Sequence, residues 1–165
     1  MIFVTVGTHE QPFDRLIKQI DILKSNNKIN QKVIIQRGFS NYLPKYCESY
    51  KMLSYEEMKK FIHQANIVIT HGGPATFIEV LQSHKIPIVV PRMKKFNEHI
   101  NNHQVEFVEL VYKKMNNIIP VYDINELQNV IIDYDKLVDK MNPSEQWNNE
   151  YFNKSIEEIA ENLVK

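Results

Sequence analysis

The chain carries a single cysteine, Cys47. A lone thiol excludes an intramolecular disulfide framework and fits a reducing compartment. Neither sign of charge is in surplus, because Lys plus Arg and Asp plus Glu each number 20. That balance argues against a nucleic-acid partner, which ordinarily meets a basic excess. No apolar run approaches the roughly 20 residues of a membrane span. The opening Met1-Ile2-Phe3-Val4-Thr5-Val6 lacks the basic leader of a secretory signal. The expectation is a cytoplasmic chain with no membrane anchor of its own. Nucleotide-fold fingerprints are missing too. There is no G-x-G-x-x-G, no G-x-x-x-x-G-K-[ST] and no G-x-S-x-G. These absences disfavour an NAD or FAD site, a P-loop NTPase and an ordinary α/β-hydrolase. Internal repeats and low-complexity tracts are absent as well.

What remains is an ordinary globular composition, 43% hydrophobic and 24% charged over 165 residues. Such a length suits one domain, residues 1–165, around one core. Short β-branched runs at 2–6, 32–36, 50–53, 67–70, 86–90 and 118–122 read as strands. Between them, helical spacing marks 13–23, 58–65, 74–83, 99–113 and 124–132. A last helix at about 144–164 places Phe152, Ile156, Ile159 and Leu163 on one stripe. That stripe reads first as core packing against the sheet; the rival is a partner-docking face, to which Trp147 beside it lends slight support. Strands alternating with helices imply an α/β fold. The expected form is a Rossmann-like, doubly wound parallel sheet of order 3-2-1-4-5-6.

Only four glycines are present, and three of them sit at two strand ends. Gly7 follows the first strand. Gly72 and Gly73 follow the fourth, within Ile67-Val68-Ile69-Thr70-His71-Gly72-Gly73-Pro74-Ala75-Thr76-Phe77-Ile78-Glu79. In the 3-2-1-4-5-6 order these two ends are neighbours at the switch point, where ligands bind. Pro74 suits the first position of a helix. Free amides and the positive dipole end of that helix favour an anion. Thr76 adds a hydroxyl. Glu79, one turn deeper, is placed to accept hydrogen bonds from ribose hydroxyls.

Three segments together carry a resemblance. They are Thr70 to Glu79 of that motif, Pro87-Ile88-Val89-Val90-Pro91-Arg92, and Glu98-His99 with Asn102-His103-Gln104. They resemble the C-terminal half of family 28 glycosyltransferases, enzymes of the two-domain GT-B architecture. The opening Val4-Thr5-Val6-Gly7-Thr8-His9-Glu10-Gln11-Pro12-Phe13-Asp14-Arg15-Leu16 looks like the small bacterial capsule and exopolysaccharide subunits. Those are similar to the soluble subunit of the two-subunit enzyme that extends dolichol-linked N-acetylglucosamine. The resemblance covers roughly residues 1–125.

The resemblance implies a single domain equivalent to the donor-binding half, and a UDP-sugar as donor substrate. Glu79 would bind the ribose, and Gly72, Gly73 and Thr76 the diphosphate, with His71 on a phosphate or holding the loop. Gly7, Thr8 and His9 would face the same crevice, with His9 the candidate catalytic group near neutral pH. Glu98, His99, Asn102 and Gln104 would read sugar hydroxyls, since amides and acids both suit that task. Arg37 and Arg92 stand at strand ends, each a phosphate partner or a loop residue. His99 and His103 share zinc-like i, i+4 spacing, but the H-E-x-x-H glutamate and a third ligand are missing. No metal or other cofactor is therefore expected.

The implied function is the donor-binding catalytic subunit of a two-component, inverting hexosyltransferase. It would move a sugar, with galactose favoured, from UDP to a lipid-linked saccharide in capsular or exopolysaccharide synthesis. A membrane-anchored, Rossmann-like partner would bind the acceptor, supply the base, and recruit this chain to the inner face of the plasma membrane. The alternative is a non-catalytic enhancer of a separate glycosyltransferase. A stand-alone nucleotide-sugar epimerase would need both halves of the architecture, and an interaction module would have no nucleotide affinity.

Overall fold

The structure is a computed structural model that describes residues 1–141. The helix expected at 144–164, with its apolar stripe and Trp147, lies outside the described residues. Six parallel strands form one sheet: β1 (Ile2–Thr5), β2 (Val33–Gln36), β3 (Glu48–Tyr50), β4 (Ile67–His71), β5 (Ile88–Val90) and β6 (Ile119–Pro120). Their order is β3-β2-β1-β4-β5-β6, as the alternation of strand and helix predicts. β1 and β4 pair side by side, with Thr5 opposite Thr70. Strands covered on both faces read as continuous Val/Ile runs, and every residue of β1, β2 and β4 is buried.

Side chains alternate between the two faces. Ile2, Val4, Val33, Ile35, Ile67 and Ile69 pack with α1 (Asp14–Ser25) and α4 (His103–Met115). Phe3, Ile34 and Val68 point the other way. They meet Ile62 of α2 (Tyr55–Gln64) and Val80 of α3 (Pro74–Gln82). A capping box starts α2: the Glu57 N–H donates to Ser54 Oγ, while Glu57 Oε2 accepts from the Ser54 N–H. That cap fixes the approach of the chain at the carboxyl end of the sheet.

Several boundaries differ from the sequence-based expectation. The third strand falls at 48–50, not 50–53, because it is an exposed edge with a polar pattern instead of an apolar run. The helix expected from 99 starts at His103. Asn101 Oδ1 accepts from the His103 N–H, a local bond that competes with helix formation, and Asn102 Oδ1 ties back to the Lys94 N–H of the preceding loop. The sixth strand is only Ile119–Pro120. After a single 3₁₀ turn at Ile124–Glu126, α5 (Leu127–Ile132) is followed by a short helix the periodicity did not reveal, α6 (Tyr134–Asp139). The Tyr134 hydroxyl anchors α6 by donating to the Ile86 carbonyl at 2.7 Å.

Candidate functional site

Two turns meet at the carboxyl edge of β1 and β4, and one side chain locks them together. Gly7 turns the chain out of β1 with φ +72°, a conformation that disfavours any Cβ. A Cβ there would stand 2.4 Å from His71 Cε1, and one at Gly73 would stand 2.2 Å from His71 Nε2. The imidazole thus fills the space that both glycines leave. Burial, and then the positive charge of Arg92, press the His71 pKa down to about 3. His71 is therefore a neutral wedge between the turns and not a cationic phosphate ligand.

Gly73 is the N-cap of α3 and Pro74 its first residue. A cavity of about 320 Å³ opens beside this helix start. Thr5, Gly7, Thr8, His71, Gly73 and Pro74 to Thr76 line one end of it; Gln36, Leu53, Tyr55 and Met58 line the rest. The first end carries the free amides and positive dipole of a helix N-terminus, which suit an anion. The second end offers apolar and aromatic surface for a flat ring. A larger hollow of about 610 Å³ touches Met1, Asn66 and Tyr134. It lies at the amino ends of the strands, away from the switch point where such sheets bind ligands.

Gly7, Thr8, His71, Gly73 and Thr76 come together here as the sequence suggests. Gly72 lies outside the cavity lining; a Cβ on it would meet Val108 and Gln104 of α4 within 3.2 Å, so its missing side chain serves close packing of α4. Glu79 stands one turn along α3, off the cavity wall. Its Oε1 is buried without a hydrogen-bond partner, and burial raises its pKa against the pull of Lys59. Gln36 Oε1 and Thr70 Oγ1 are likewise buried and unpartnered. Each such atom costs about 1–3 kcal/mol when nothing bonds it.

The segment after β5 departs further from expectation. Glu98 is buried and its carboxylate is fully engaged. Oε1 accepts from Arg15 Nε at 2.8 Å, and Oε2 from Arg15 Nη2 at 2.9 Å and the Met93 N–H at 3.0 Å. It is a tether, not a reader of sugar hydroxyls. Gln104 Oε1 accepts from the Arg92 N–H, and Asn102 Oδ1 is held by the Lys94 N–H; both oxygens shape the loop. Arg92 itself is fully buried and donates to the carbonyls of Val6, Gln11 and Glu98. It structures the turn after β1 and leaves no face for phosphate. Burial lowers its pKa to about 10, so it remains charged at neutral pH. Arg37 donates to the Ser40 carbonyl.

His9 and His99 do meet, with ring centroids 4.9 Å apart. His9 Nε2 lies 3.1 Å from Gln11 Oε1. His99 precedes α4 while His103 begins it, so the two never share a helical face. Among the described residues no group of three His, Cys, Asp or Glu side chains is arranged to hold a metal. The sequence reading gave no site role to Arg15, although it lies in the opening motif, nor to Gln36, Leu53, Tyr55 and Met58. The last three flank the S-x-x-E capping signature at Ser54, which was legible. Arg15 and Glu98, 83 residues apart, carry no local signal.

The sheet, its paired turns and the open helix start define a Rossmann-like, doubly wound α/β domain. The chain belongs to the glycosyltransferase family 28 C-terminal domain family, whose model matches residues 1–163. It is 33% identical over 122 residues to the human UDP-N-acetylglucosamine transferase subunit ALG13, and 31% over 121 residues to the mouse protein. Those alignments cover 68% of this chain and 10% of each relative, so the chain spans about a tenth of their length. Among solved structures it is similar to the glycosyltransferase SnogD from Streptomyces nogalater. The TM-score is 0.52 at 12% identity, over 99% of this chain and 39% of that one.

Proposed function

We propose that this chain is the donor-binding catalytic subunit of a two-component, inverting glycosyltransferase that uses a UDP-sugar. The observation that carries the reading is the cavity between Gly7 and the start of α3, in a chain of this family. A hydroxyl of the acceptor attacks the anomeric carbon opposite the diphosphate, and negative charge grows on departing UDP. Fixed dipoles at the α3 N-terminus, aimed at that charge, stabilise the transition state without reorganising. Thr76 and Thr8 border the same end and offer hydroxyls. Glu79, one turn along α3 from the cavity-lining Thr76, is assigned to the ribose on the family resemblance, and its unpartnered oxygen supports that assignment.

The acceptor is a lipid-linked saccharide of capsular or exopolysaccharide synthesis, held by a membrane-anchored partner. The description of the mammalian relatives as subunits supports a two-chain enzyme. No helix among the described residues is long and apolar enough to cross a membrane, and the partner brings this chain to the cytoplasmic face. His9, beside His99, is the group of this chain nearest to a proton-transfer role, and the partner contributes the rest of the acceptor site. Galactose, from the capsule-subunit resemblance, and N-acetylglucosamine, from the names of the mammalian relatives, are the two donors to compare.

Calorimetric titration of UDP into the purified chain tests the reading. Saturable binding is expected, weakened about tenfold or more in Glu79→Ala through loss of charge-assisted hydrogen bonds. Unchanged affinity in that variant would remove Glu79 from the ribose, and no binding to wild type would remove the donor site.

A further inference from the structure

Three polar side chains stand in register across the centre of the sheet. Thr5 of β1 pairs with Gln36 of β2 on one side and Thr70 of β4 on the other. In-register residues of a parallel sheet share a face. This face is otherwise apolar, since Phe3, Ile34 and Val68 form the row behind. Thr5 and Thr70 are 0% exposed and Gln36 is 3% exposed. Thr5 Oγ1 accepts from the Gly7 N–H, which accounts for it within the turn. Gln36 Oε1 has no partner, yet Gln36 lines the cavity. A strand that has no other polar residue therefore ends in a carboxamide at the cavity wall, its oxygen unpartnered.

Strand order locates that carboxamide along the cavity. The anion end belongs to the β4–α3 turn, the middle to β1, and Gln36 to β2. Beyond it come Leu53 and Tyr55, on the connection from β3 to α2. β4 and β2 are two inter-strand spacings apart, about 10 Å. That interval leaves a sugar ring between a diphosphate at α3 and a base at Leu53 and Tyr55. A carboxamide both donates and accepts, and the edge of uracil does the same, with its N3–H flanked by two carbonyls.

We propose that Gln36 reads the nucleobase, its carboxamide oxygen accepting the uracil N3–H and its amide donating to a ring carbonyl. The inference rests on the UDP-sugar reading and adds to it a residue that selects the base. Gln36 is a specificity residue, apart from the reacting atoms.

A chemical double-mutant cycle tests it, with UDP and 3-methyluridine diphosphate titrated into wild type, Gln36→Leu and Gln36→Met. Methylation removes the N3 donor. Wild type is expected to bind UDP at least about tenfold more tightly than the methylated analogue. Both variants are expected to lose about as much for UDP and to bind the two ligands alike. Their unfolding midpoints should equal or exceed that of wild type, because an unpartnered buried polar group has gone. The same methyl penalty in wild type and variants would overturn the proposal, since Gln36 would not touch N3. Unchanged UDP affinity in the variants, or unfolding of both, would overturn it in favour of a structural role. If wild type binds no UDP, the donor reading fails first and takes this proposal with it. That outcome is distinct from the others, in which UDP binds.

Discussion

His71 stays uncharged because ionising it would place a cation at a buried position already bordered by Arg92. The consequence appears as a pH dependence. In the unfolded chain this group titrates at its ordinary 6.5, and in the fold at about 3. Between those values the unfolded chain binds the proton and the folded one does not. The contribution to stability is thus fully present above pH 6.5. It falls about tenfold in the folding constant for each pH unit lost below that value, down to the folded pKa. Urea unfolding at several pH values should show this slope in wild type and a flatter one in His71→Asn, which cannot take up the proton. Identical slopes in the two proteins would mean that His71 is not held neutral. The two glycines that accept the ring were visible in the sequence, but the ring between them was not, because its position depends on β1 and β4 lying side by side.

At the scale of elements, the loop after β5 is held by charge and not by apolar packing. Arg15 of α1 grips Glu98 with two nitrogens, and Glu98 also accepts from the Met93 N–H. Arg15 and Arg92 both lie over the Phe13 ring. The side chains of the Arg15–Glu98 pair are only 12% and 4% exposed, and removing one partner of a buried pair strands the other charge. Glu98→Ala should therefore cost about 3–5 kcal/mol in denaturant unfolding; a loss under about 1 kcal/mol would show the pair to be solvated in effect. The same contrast explains what could be read beforehand. Strand order followed from β/α alternation, and the β4–α3 turn from its glycines and Pro74, because each is a local pattern. Glu98 was expected to read sugar hydroxyls because the family resemblance implies acidic and amide side chains with that role after β5. The contact that decides its role comes from α1. The α4 start was misplaced because Asn101 takes the His103 N–H that a longer helix would have used, while Asn102 is held by the Lys94 N–H of the preceding loop. Gly72 looked like half of a phosphate turn, and its need for close approach to α4 shows only once that helix is packed.

For the whole molecule, the cavity walls come from β1, β2, β4, α3 and the entry to α2, so a nucleotide held there joins elements from both halves of the sheet. A ligand that binds only the folded chain stabilises all of it. At one hundred times its dissociation constant UDP should add about 2.7 kcal/mol. For a domain of this size that corresponds to a rise in melting temperature of about 5–10 °C. The two ends of the cavity make the experiment more discriminating. Uridine fills the apolar end at Leu53, Tyr55 and Met58 but leaves the α3 N-terminus without its anion, so at the same concentration it should shift the midpoint far less. Raising salt should narrow the difference, because charge–dipole attraction at an open helix end is screened. Thermal melts with UDP, uridine and no ligand, at low and high salt, measure all of this on the chain alone. Equal shifts from UDP and uridine would mean that α3 does not hold the diphosphate. The dipole-assisted departure of UDP would then lose its physical basis, even in a chain that binds the nucleoside.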